Sequence, residues 1–565
     1  MSERVLDPKV IKLSATPRDG NADRSWAWFA LALVFFTAVW FVSLATRSLI
    51  HPDEGRYAVL ALEMARGGDW VTPRLNGLLY FEKPALQYWI GALSFQCFGI
   101  TEFAARLWPG LAGFLTVSTV GLTAARLWGR QAGVQAFGIA GSTTWIVVNA
   151  HFLTLDAGLT FFLTLALCAV LLAECGELSA PARRRCMWLA WAAMAGAALS
   201  KGLVGIVIPG CVLVLASLWL RDAGLWRRTR PVAGVVIFLA IAAPWFVLVS
   251  LRNPGFAEFF FIHEHFARYL THAHHREGAW WYYLPLLLAG LLPWTSALPW
   301  VARRTPAAGP ADIKARGLLL SWCAFVLVFF SLSGSKLPSY ILPMFPALAL
   351  LIAGQLRGAG APVLRWHLLV PVLVWLAILL AATQVHRLAS AGTPEPVMDA
   401  LGSALRVGAL IFLGCAGAAW WLLGRRRTTA AVLSVALGHF AATLVVMEMH
   451  DSFGQLKSAA PLAKVVLPLL DAKTPVYAVR SYDQTLPFYL QRNIVLVDYV
   501  DEFSYGQQHE PGKSITKLED FIVRWQAEPR GAAYMTRATW LELRERGVPM
   551  RTVFEDPRRL VVIKP

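Results

Sequence analysis

Apolar residues occur in long runs along most of this chain, and short polar or basic segments separate the runs. A helix needs about 20 apolar residues to cross the hydrocarbon core of a bilayer. Thirteen runs reach or approach this length: 26–46, 105–125, 132–150, 157–175, 187–200, 203–220, 231–251, 281–301, 317–334, 337–356, 364–383, 405–424 and 428–448. We therefore predict a polytopic α-helical membrane protein with about 13 transmembrane helices over residues 26–450, after a polar tail at 1–25.

A further run at 85–99 is ambiguous, because a helix of this length extends only about 22 Å. Cytoplasmic loops of membrane proteins are enriched in arginine and lysine. If 85–99 does not span, every strong basic cluster falls on the side of the N-terminus, whereas a spanning helix would move them all to the other side. We therefore predict that 85–99 lies at the outer interface, with the N-terminus cytoplasmic and the C-terminus outside. A large first outer loop then covers 47–104.

The composition changes at residue 451. From there, helix-like stretches alternate with five strand-like runs: Val476–Val479, Ile494–Val497, Ala532–Met535, Thr552–Phe554 and Leu560–Ile563. This order predicts an α/β domain over 451–565 on the outer side, with a small open sheet whose last two strands are antiparallel. The domain either caps the outer face or helps to enclose a bulky lipid headgroup, and the sequence leaves both possibilities open.

The composition agrees with a membrane protein, since 57% of the residues are hydrophobic, 15% are charged and the mean hydropathy is +0.52. The formal net charge is +17, but the basic residues form short clusters between apolar runs. That pattern is typical of membrane topology and not of nucleic-acid binding, so we predict no nucleic-acid partner. The seven cysteines show no CxxC or Cys/His spacing that would indicate zinc.

The first outer loop contains a dense group of charged residues, from His51 to Tyr57 and from Tyr80 to Pro84. Ionised groups beside a bilayer are costly unless they perform chemistry or bind a charged ligand. We therefore predict that this loop holds the functional site. Asp53 lies in it, and Asp156 follows the third apolar run on the same side. Either aspartate could instead cap the helix that follows it.

Several cations are predicted on the outer side, where the positive-inside bias disfavours them. They are Arg56, Lys83, Lys201, Arg268 and Lys336. Such a set indicates that a phosphate is bound there, although each lysine could instead extend to anionic lipid. The flanking aromatic residues include Tyr57, Tyr80 and Tyr340. They belong to an interfacial belt or pack against a sugar ring or a prenyl chain.

A divalent metal site is conceivable in the outer loops, because imidazole and carboxylate groups are suitable ligands. The candidate ligands are His263, His265 and Glu82. Their spacing matches no strong metal motif, so we assign no metal.

The chain resembles a known family through five motifs: His51-Pro52-Asp53-Glu54-Gly55-Arg56-Tyr57, Phe81-Glu82-Lys83-Pro84, Thr154-Leu155-Asp156, Ser200-Lys201-Gly202 and Lys336-Leu337-Pro338-Ser339-Tyr340-Ile341-Leu342-Pro343. These motifs look like those of the GT-C polyprenyl-phosphate-sugar transferases, which include the protein O-mannosyltransferases. Within that superfamily they are most similar to the bacterial lipid A aminoarabinose transferases. The resemblance extends over the whole chain.

The resemblance implies an inner-membrane pentosyltransferase with a periplasmic active site. Its donor would be undecaprenyl-phosphate-linked 4-amino-4-deoxy-L-arabinose, and its acceptor a phosphate of lipid A. The product would carry less negative charge and bind polymyxin and other cationic peptides more weakly. The enzyme would act as a monomer among membrane lipids and would require no cofactor.

The resemblance also suggests a role for each candidate residue. Lys83 and Arg268, supported by Lys201, would stabilise the leaving phosphate. Asp53, with Asp156 as the second candidate, would orient the acceptor, take a residual proton or contact the ammonium group of the sugar. The remaining candidates would bind substrate: Glu54, Arg56, Tyr57, Tyr80, Glu82, Lys336 and Tyr340.

Two alternatives remain open from the sequence. The first is a related transferase that moves mannose or another sugar to protein or to a different lipid. The second is a lipid flippase or transporter that uses the same charged cavity. Transporters tend to contain internal repeats, and we find no repeat here.

Overall fold

The computed structural model of the chain describes residues 20–267, 278–303, 309–449 and 451–565. It divides into two compact units, Met1–Val42 and Ser43–Pro565. The first unit contributes helix α1, Gly20–Val42. Every contact described below lies within the second unit.

The helical part of the second unit contains seventeen α-helices among its described residues. They are α2 Asp53–Gly67, α3 Leu86–Phe98, α4 Glu102–Trp128, α5 Arg130–Ser142, α6 Thr144–Ala150, α7 Leu155–Cys175, α8 Ala180–Lys201, α9 Val204–Leu220, α10 Leu225–Arg228, α11 Pro231–Arg252, α12 Tyr283–Gly290, α13 Leu298–Ala302, α14 Pro310–Leu332, α15 Phe345–Leu356, α16 Ala361–Ala381, α17 Glu395–Gly424 and α18 Thr428–Met449. A π-helix, Glu258–Ala267, follows α11, and a 3₁₀ segment, Pro338–Met344, precedes α15.

Each of the thirteen apolar runs coincides with a helix or with an interrupted pair of helices. Among the described residues, eight helices are long and apolar enough to cross a membrane, and nine if α12 and the bent segment after it count as one span. The remaining runs form helices that are shorter, such as α9 with 17 residues, more polar, or interrupted. The 132–150 run breaks at Thr143, and the helices at Tyr283–Gly290 and Thr295–Ala302 meet at 112°. The chain is therefore a multi-span helical protein.

The first outer loop contains α2, a short hairpin and α3. Strands β1 (Arg74–Leu75) and β2 (Leu78–Leu79) form the antiparallel hairpin. Helix α3 has 13 residues, which corresponds to about 20 Å and is too short to cross a bilayer.

The C-terminal part contains a five-stranded sheet. Its strands lie at the positions of the five strand-like runs. The strands are β3 Val476–Val479, β4 Val495–Val497, β5 Ala532–Met535, β6 Arg551–Glu555 and β7 Leu560–Ile563. Their order is β4-β3-β5-β7-β6. Strand β3 is parallel to β4 and β5, while β7 is antiparallel to β5 and β6. Around the sheet lie α19 Asp451–Gly454, α20 Ala460–Val466, α21 Leu486–Leu490, α22 Ser504–His509, α23 Leu518–Ala527 and α24 Arg537–Glu545.

The two faces of this sheet have different partners. One face packs on α23 and α24 through buried residues such as Phe521, Trp525 and Leu543. The side chains of the other face share a hydrophobic core with the first outer loop, in which Tyr88 and Leu496 are both buried. Alternate residues of a strand point to opposite faces, so the sheet has one core of its own and one core in common with the loop.

Gly55 shows how closely the sheet region approaches the first loop. A Cβ atom at this position would lie 2.4 Å from the carbonyl carbon of Gln484 and 2.6 Å from the backbone nitrogen of Thr485. Any side chain would therefore force α2 away from the C-terminal region. This contact explains the glycine inside the His51–Tyr57 motif.

Glu63, on α2, holds the turn of the β1–β2 hairpin. Both carboxylate oxygens accept hydrogen bonds from the backbone N–H of Gly77, at 2.7 and 3.0 Å. Burial raises the pKa of Glu63 from 4.5 to about 7. The folded protein therefore retains a proton at Glu63 in a pH range where the unfolded chain has released it.

We expect the free energy of unfolding to fall as the pH rises from about 4.5 to about 7, because the folded state binds the additional proton over this range. Glu63→Gln keeps an acceptor for Gly77 and cannot ionise. At about pH 8 this variant should be more stable than the wild type by about 1–2 kcal/mol, and the difference should shrink towards about pH 5. Thermal-unfolding midpoints at both pH values measure this effect. A stability difference that does not depend on pH would contradict it.

Candidate active site

Three helical segments meet around the carboxylate of Asp156. Asp156 lies in the first turn of α7, two residues after the N-cap residue Thr154. Its Oδ1 lies 2.5 Å from Nζ of Lys201, at the end of α8, and its Oδ2 accepts a hydrogen bond of 2.9 Å from Oγ of Ser339. The ammonium group of Lys201 also lies 4.6 Å from the centre of the Tyr340 ring. Asp156 therefore holds the ammonium group of Lys201 in place.

A second lysine–carboxylate pair lies in the same cavity. Nζ of Lys83 lies 3.0 Å from Oε2 of Glu264, in the π-helix, and also donates to the carbonyl of Glu82 at 2.6 Å. The cavity has a volume of about 110 Å³. We call it the Lys83 cavity, and its lining is Lys83, Asp156, Leu159, Lys201, Val204, Glu264, Phe329, Phe330, Ser333, Ser335 and Tyr340. Sequence segments that are far apart thus bring two cations and two carboxylates together.

The lining of the Lys83 cavity combines charged and apolar side chains. The charged groups come from Lys83, Asp156, Lys201 and Glu264, whereas Leu159, Val204, Phe329 and Phe330 are apolar. Cations beside an oxygen-rich anion stabilise it most strongly where water is excluded. Such a lining can contact both a phosphate group and a hydrocarbon chain.

Asp53 belongs to a neighbouring group of charged residues. It is the first residue of α2, it is about half exposed, and its Oδ1 lies 2.7 Å from a guanidinium nitrogen of Arg56. Arg56 also pairs with Glu502, which follows β4 and is almost fully buried. Asp53 does not line the Lys83 cavity. The structure therefore brings together Lys83, Lys201 and Asp156 but not all of the predicted residues.

Tyr57, Tyr80 and Glu82 interact electrostatically with one another and with Arg56. Burial raises the pKa of Tyr80 well above its usual value, and the charge of Glu82 adds to the effect. Burial and the nearby Asp53 likewise raise the pKa of Tyr57. Both phenols therefore remain protonated at neutral pH and can donate hydrogen bonds.

The position of Glu54 does not fit the prediction that this residue binds substrate. It is buried, and Arg106, on α4, approaches both of its oxygens at 2.7 and 2.8 Å. The backbone N–H groups of Ile50 and Leu153 donate to the same carboxylate at 3.1 and 3.0 Å. Burial opposes ionisation, but the charge and hydrogen bonds of Arg106, the charge of Arg47 and the Leu153 N–H together outweigh it and lower the pKa of Glu54. Glu54 is thus better explained as a structural anchor of the loop than as a substrate ligand.

The other predicted residues lie at the edge of the Lys83 cavity or outside the described residues. Nζ of Lys336 donates to the carbonyl of Ser333 at 2.7 Å, so this lysine supports the short segment between α14 and the 3₁₀ turn. Tyr340 lines the cavity. Arg268, predicted to bind the donor phosphate, lies outside the described residues.

The candidate metal ligands form no cluster in the part of the chain that the structure describes. No group of three or more His, Cys, Asp or Glu side chains there could hold an ion. His263 lies 3.7 Å from Glu264 and is more than half exposed. The side chain of His265 lies outside the described part, as do the other histidines of that loop.

Sequence reasoning missed several residues that shape the site. Glu264 pairs with Lys83 but belongs to none of the five motifs. Ser339 lay inside a recognised motif but received no role. Arg106 and Glu502 gave no usable signal, because their partners are 52 and 446 residues away.

Two family models match the chain. Residues 25–260 match the dolichyl-phosphate-mannose-protein mannosyltransferase model, and residues 462–564 match the aminoarabinose transferase C-terminal domain. Two similar proteins are named undecaprenyl phosphate-alpha-4-amino-4-deoxy-L-arabinose arabinosyl transferase. The one from Erwinia tasmaniensis is 31% identical over 520 residues, and the one from Edwardsiella ictaluri is 32% identical over 527 residues. Each alignment covers 89% of this chain and 91% of the relative.

The chain belongs to the aminoarabinose transferase family. It is a glycosyltransferase, as the resemblance implies. A solved structure supports the same assignment: ArnT from Cupriavidus metallidurans, crystallised with undecaprenyl phosphate, superposes with a TM-score of 0.90 and 37% identity. The match covers 95% of this chain and 98% of that one. The fold is therefore that of a GT-C membrane glycosyltransferase.

Proposed function

We propose that the protein transfers 4-amino-4-deoxy-L-arabinose from undecaprenyl phosphate to a phosphate group of lipid A. The observation that supports this most directly is the Lys83 cavity. It offers two ammonium groups to a phosphate and an apolar wall to a prenyl chain. The names of the relatives, and the undecaprenyl phosphate bound to ArnT from Cupriavidus metallidurans, support the donor.

The reaction requires little acid–base chemistry. An anionic oxygen of the acceptor phosphate attacks the anomeric carbon, the bond from that carbon to the donor phosphate oxygen breaks, and undecaprenyl phosphate leaves. Charge develops on the leaving phosphate, so Lys83 and Lys201 act by electrostatic stabilisation. Arg268 is proposed to assist them.

The carboxylates have a different role in this proposal. Asp156 and Glu264 hold the two lysines in place and can release them to an entering phosphate. Asp53, beside Arg56, orients the acceptor or contacts the ammonium group of the sugar. Arg56, Tyr57, Tyr80 and Glu82 surround the same region and contribute to substrate binding.

We further propose a place for the chain in the cell. It lies in the bacterial inner membrane as a monomer with about thirteen spans and a cytoplasmic N-terminus, and the Lys83 cavity and the C-terminal sheet face the periplasm. The transfer needs no cofactor, and a divalent ion would act at most as an auxiliary. The added amino sugar lowers the negative charge of lipid A and thereby weakens polymyxin binding.

The reaction is tested by incubating purified protein with the labelled donor and lipid A, with and without a chelator. Mass spectrometry should detect lipid A that carries one additional aminopentose, at the same rate in both arms. Movement of the donor across a vesicle membrane without a covalent product would favour a flippase instead.

Asp156→Asn should reduce the rate of this reaction by about 100-fold, because the neutral amide no longer fixes the ammonium group of Lys201 beside the substrate. Folding should be retained, since the amide can still contact Ser339. The ratio of kcat/KM between variant and wild type measures the effect. Asp222→Asn, at the far end of the helices, is the matched control and should remain active. Normal turnover by Asp156→Asn would show that Asp156 takes no part in the reaction.

A further inference from the structure

A second charged cleft lies at the opposite end of the helices that build the Lys83 cavity. Its lining is Ala173, Glu174, Ala180, Arg183, Arg184, Met187, Arg227, Arg228, Arg230 and Lys314. We call it the Arg183 cleft, and its volume is about 740 Å³. Asp156 and Glu174 lie at opposite ends of α7, and Arg184 and Lys201 lie towards opposite ends of α8. A helix of 21 residues such as α7 is about 30 Å long, so one bilayer thickness separates the two sites.

The charges in the Arg183 cleft do not balance. Glu174 pairs with Arg228 at 2.9 Å and with Lys314 at 2.5 Å. Asp222 contacts the same two cations, at 2.5 and 3.3 Å. The four remaining arginines of the cleft have no acidic partner among the described residues and are exposed: Arg183, Arg184, Arg227 and Arg230. The cleft therefore has a surplus of cations for which the described part of the chain supplies no counter-ion.

The surroundings of the cleft match a lipid better than a soluble anion. Helix α11 begins at Pro231, directly after Arg230, and its first turns expose Val232 by 82% and Val236 by 63%. Only 22% of the most apolar part of α11 is buried inside the protein. A lipid whose headgroup lies on the arginines can thus place its acyl chains along α11.

Exposed tryptophans lie beside the arginines of the Arg183 cleft. Trp188, one turn after Arg184, is 38% exposed, and the Arg184 guanidinium lies 5.1 Å from the centre of its ring. Trp226, beside Arg227, is 40% exposed. Tryptophan is enriched where membrane and water meet, so this cleft lies at the depth of lipid headgroups.

We propose that the Arg183 cleft binds the phosphate headgroup of an anionic phospholipid, in the leaflet opposite the Lys83 cavity. Arginine suits this task because its planar guanidinium can hold two phosphate oxygens at once. Basic pockets between transmembrane helices are known to bind lipids with anionic headgroups. The site is separate from the transfer chemistry, so it does not depend on the proposed substrates.

The test is native mass spectrometry of the full chain in detergent with added cardiolipin, and with phosphatidylcholine in a parallel arm. The wild type should retain cardiolipin and not phosphatidylcholine. The triple variant Arg183→Gln/Arg184→Gln/Arg230→Gln should bind cardiolipin at least about tenfold more weakly. The control Arg524→Gln/Arg537→Gln/Arg551→Gln removes the same charge from the C-terminal region and should bind like the wild type. An arm with inorganic phosphate should not displace cardiolipin.

A further variant keeps every arginine, so its result does not depend on whether the triple variant folds correctly. Asp222→Asn removes an acid that competes for Arg228 and Lys314, so it should retain more cardiolipin than the wild type. Equal retention of cardiolipin by the wild type and the triple variant overturns the proposal, as does equal retention of both lipids by the wild type. Displacement by inorganic phosphate would show that the cleft binds a soluble anion and overturns it too.

Discussion

Lys83→Gln is expected to reduce kcat/KM for sugar transfer by a factor of about 10²–10³, the range found when one pre-positioned stabilising group is removed. The lysine lies in the cavity beside Lys201, and its charge matters most when the donor phosphate becomes a leaving group. Glutamine keeps a hydrogen-bond donor for Glu264 but has no charge. Most of the loss should therefore appear in kcat and not in KM.

Lys513→Gln is the matched control for this experiment. Lys513 also pairs with a glutamate, Glu510 at 2.8 Å, but it is about half exposed and lies in the C-terminal region. Its loss should leave transfer unchanged, because surface ion pairs contribute little. Similar rates for Lys83→Gln and Lys513→Gln would show that Lys83 takes no part in the reaction.

Glu54→Gln is expected to destabilise the protein by about 3–5 kcal/mol, since it leaves a buried guanidinium without its counter-ion. Arg106 is fully buried and donates to both oxygens of Glu54. It also donates to the carbonyls of Arg47 and Ser48, at 2.6 and 2.9 Å. The pair therefore holds the entry of the first outer loop against α4, and its loss should loosen the loop that contains Lys83.

The midpoint of thermal unfolding in detergent measures this effect, with Glu102→Gln as the control. Glu102 is on the same helix as Arg106, is partly exposed and accepts one hydrogen bond of 3.0 Å from Tyr489. We expect Glu102→Gln to change the stability by less than about 1 kcal/mol. A double variant, Glu54→Gln/Arg106→Gln, should lose less than the sum of its two single variants. Additive losses would mean that Glu54 and Arg106 do not act as a pair.

Hydrophobic pattern predicted much of the fold. The apolar runs locate the membrane helices, and the strand-like runs between helix-like stretches locate the five strands of the C-terminal sheet. The pattern cannot show where a run is interrupted, because the bend after α12 and the break at Thr143 leave the average hydrophobicity of the run almost unchanged. Nor does it show that the first outer loop shares its core with the sheet, since that contact joins segments about 400 residues apart.

Charged residues at the ends of the apolar runs predicted part of the site. Lys83, Lys201 and Asp156 stood out because ionised groups at span ends are costly, and the structure places all three in one cavity. The same argument selected Glu54, whose charge is instead neutralised by Arg106. Sequence gives the presence of a charge but not its partner, and the partner decides whether the charge faces a substrate or anchors the fold.

The central claim is that the Lys83 cavity binds the phosphate group that leaves with the undecaprenyl chain. The most direct test is equilibrium binding of undecaprenyl phosphate to the wild type, to Lys83→Gln/Lys201→Gln and to the control Lys464→Gln/Lys513→Gln. We predict that the first double variant binds at least about 100-fold more weakly, given charge-assisted contacts from two ammonium groups, while the control binds like the wild type. Undiminished binding by Lys83→Gln/Lys201→Gln, in a protein shown to be folded, would contradict the account.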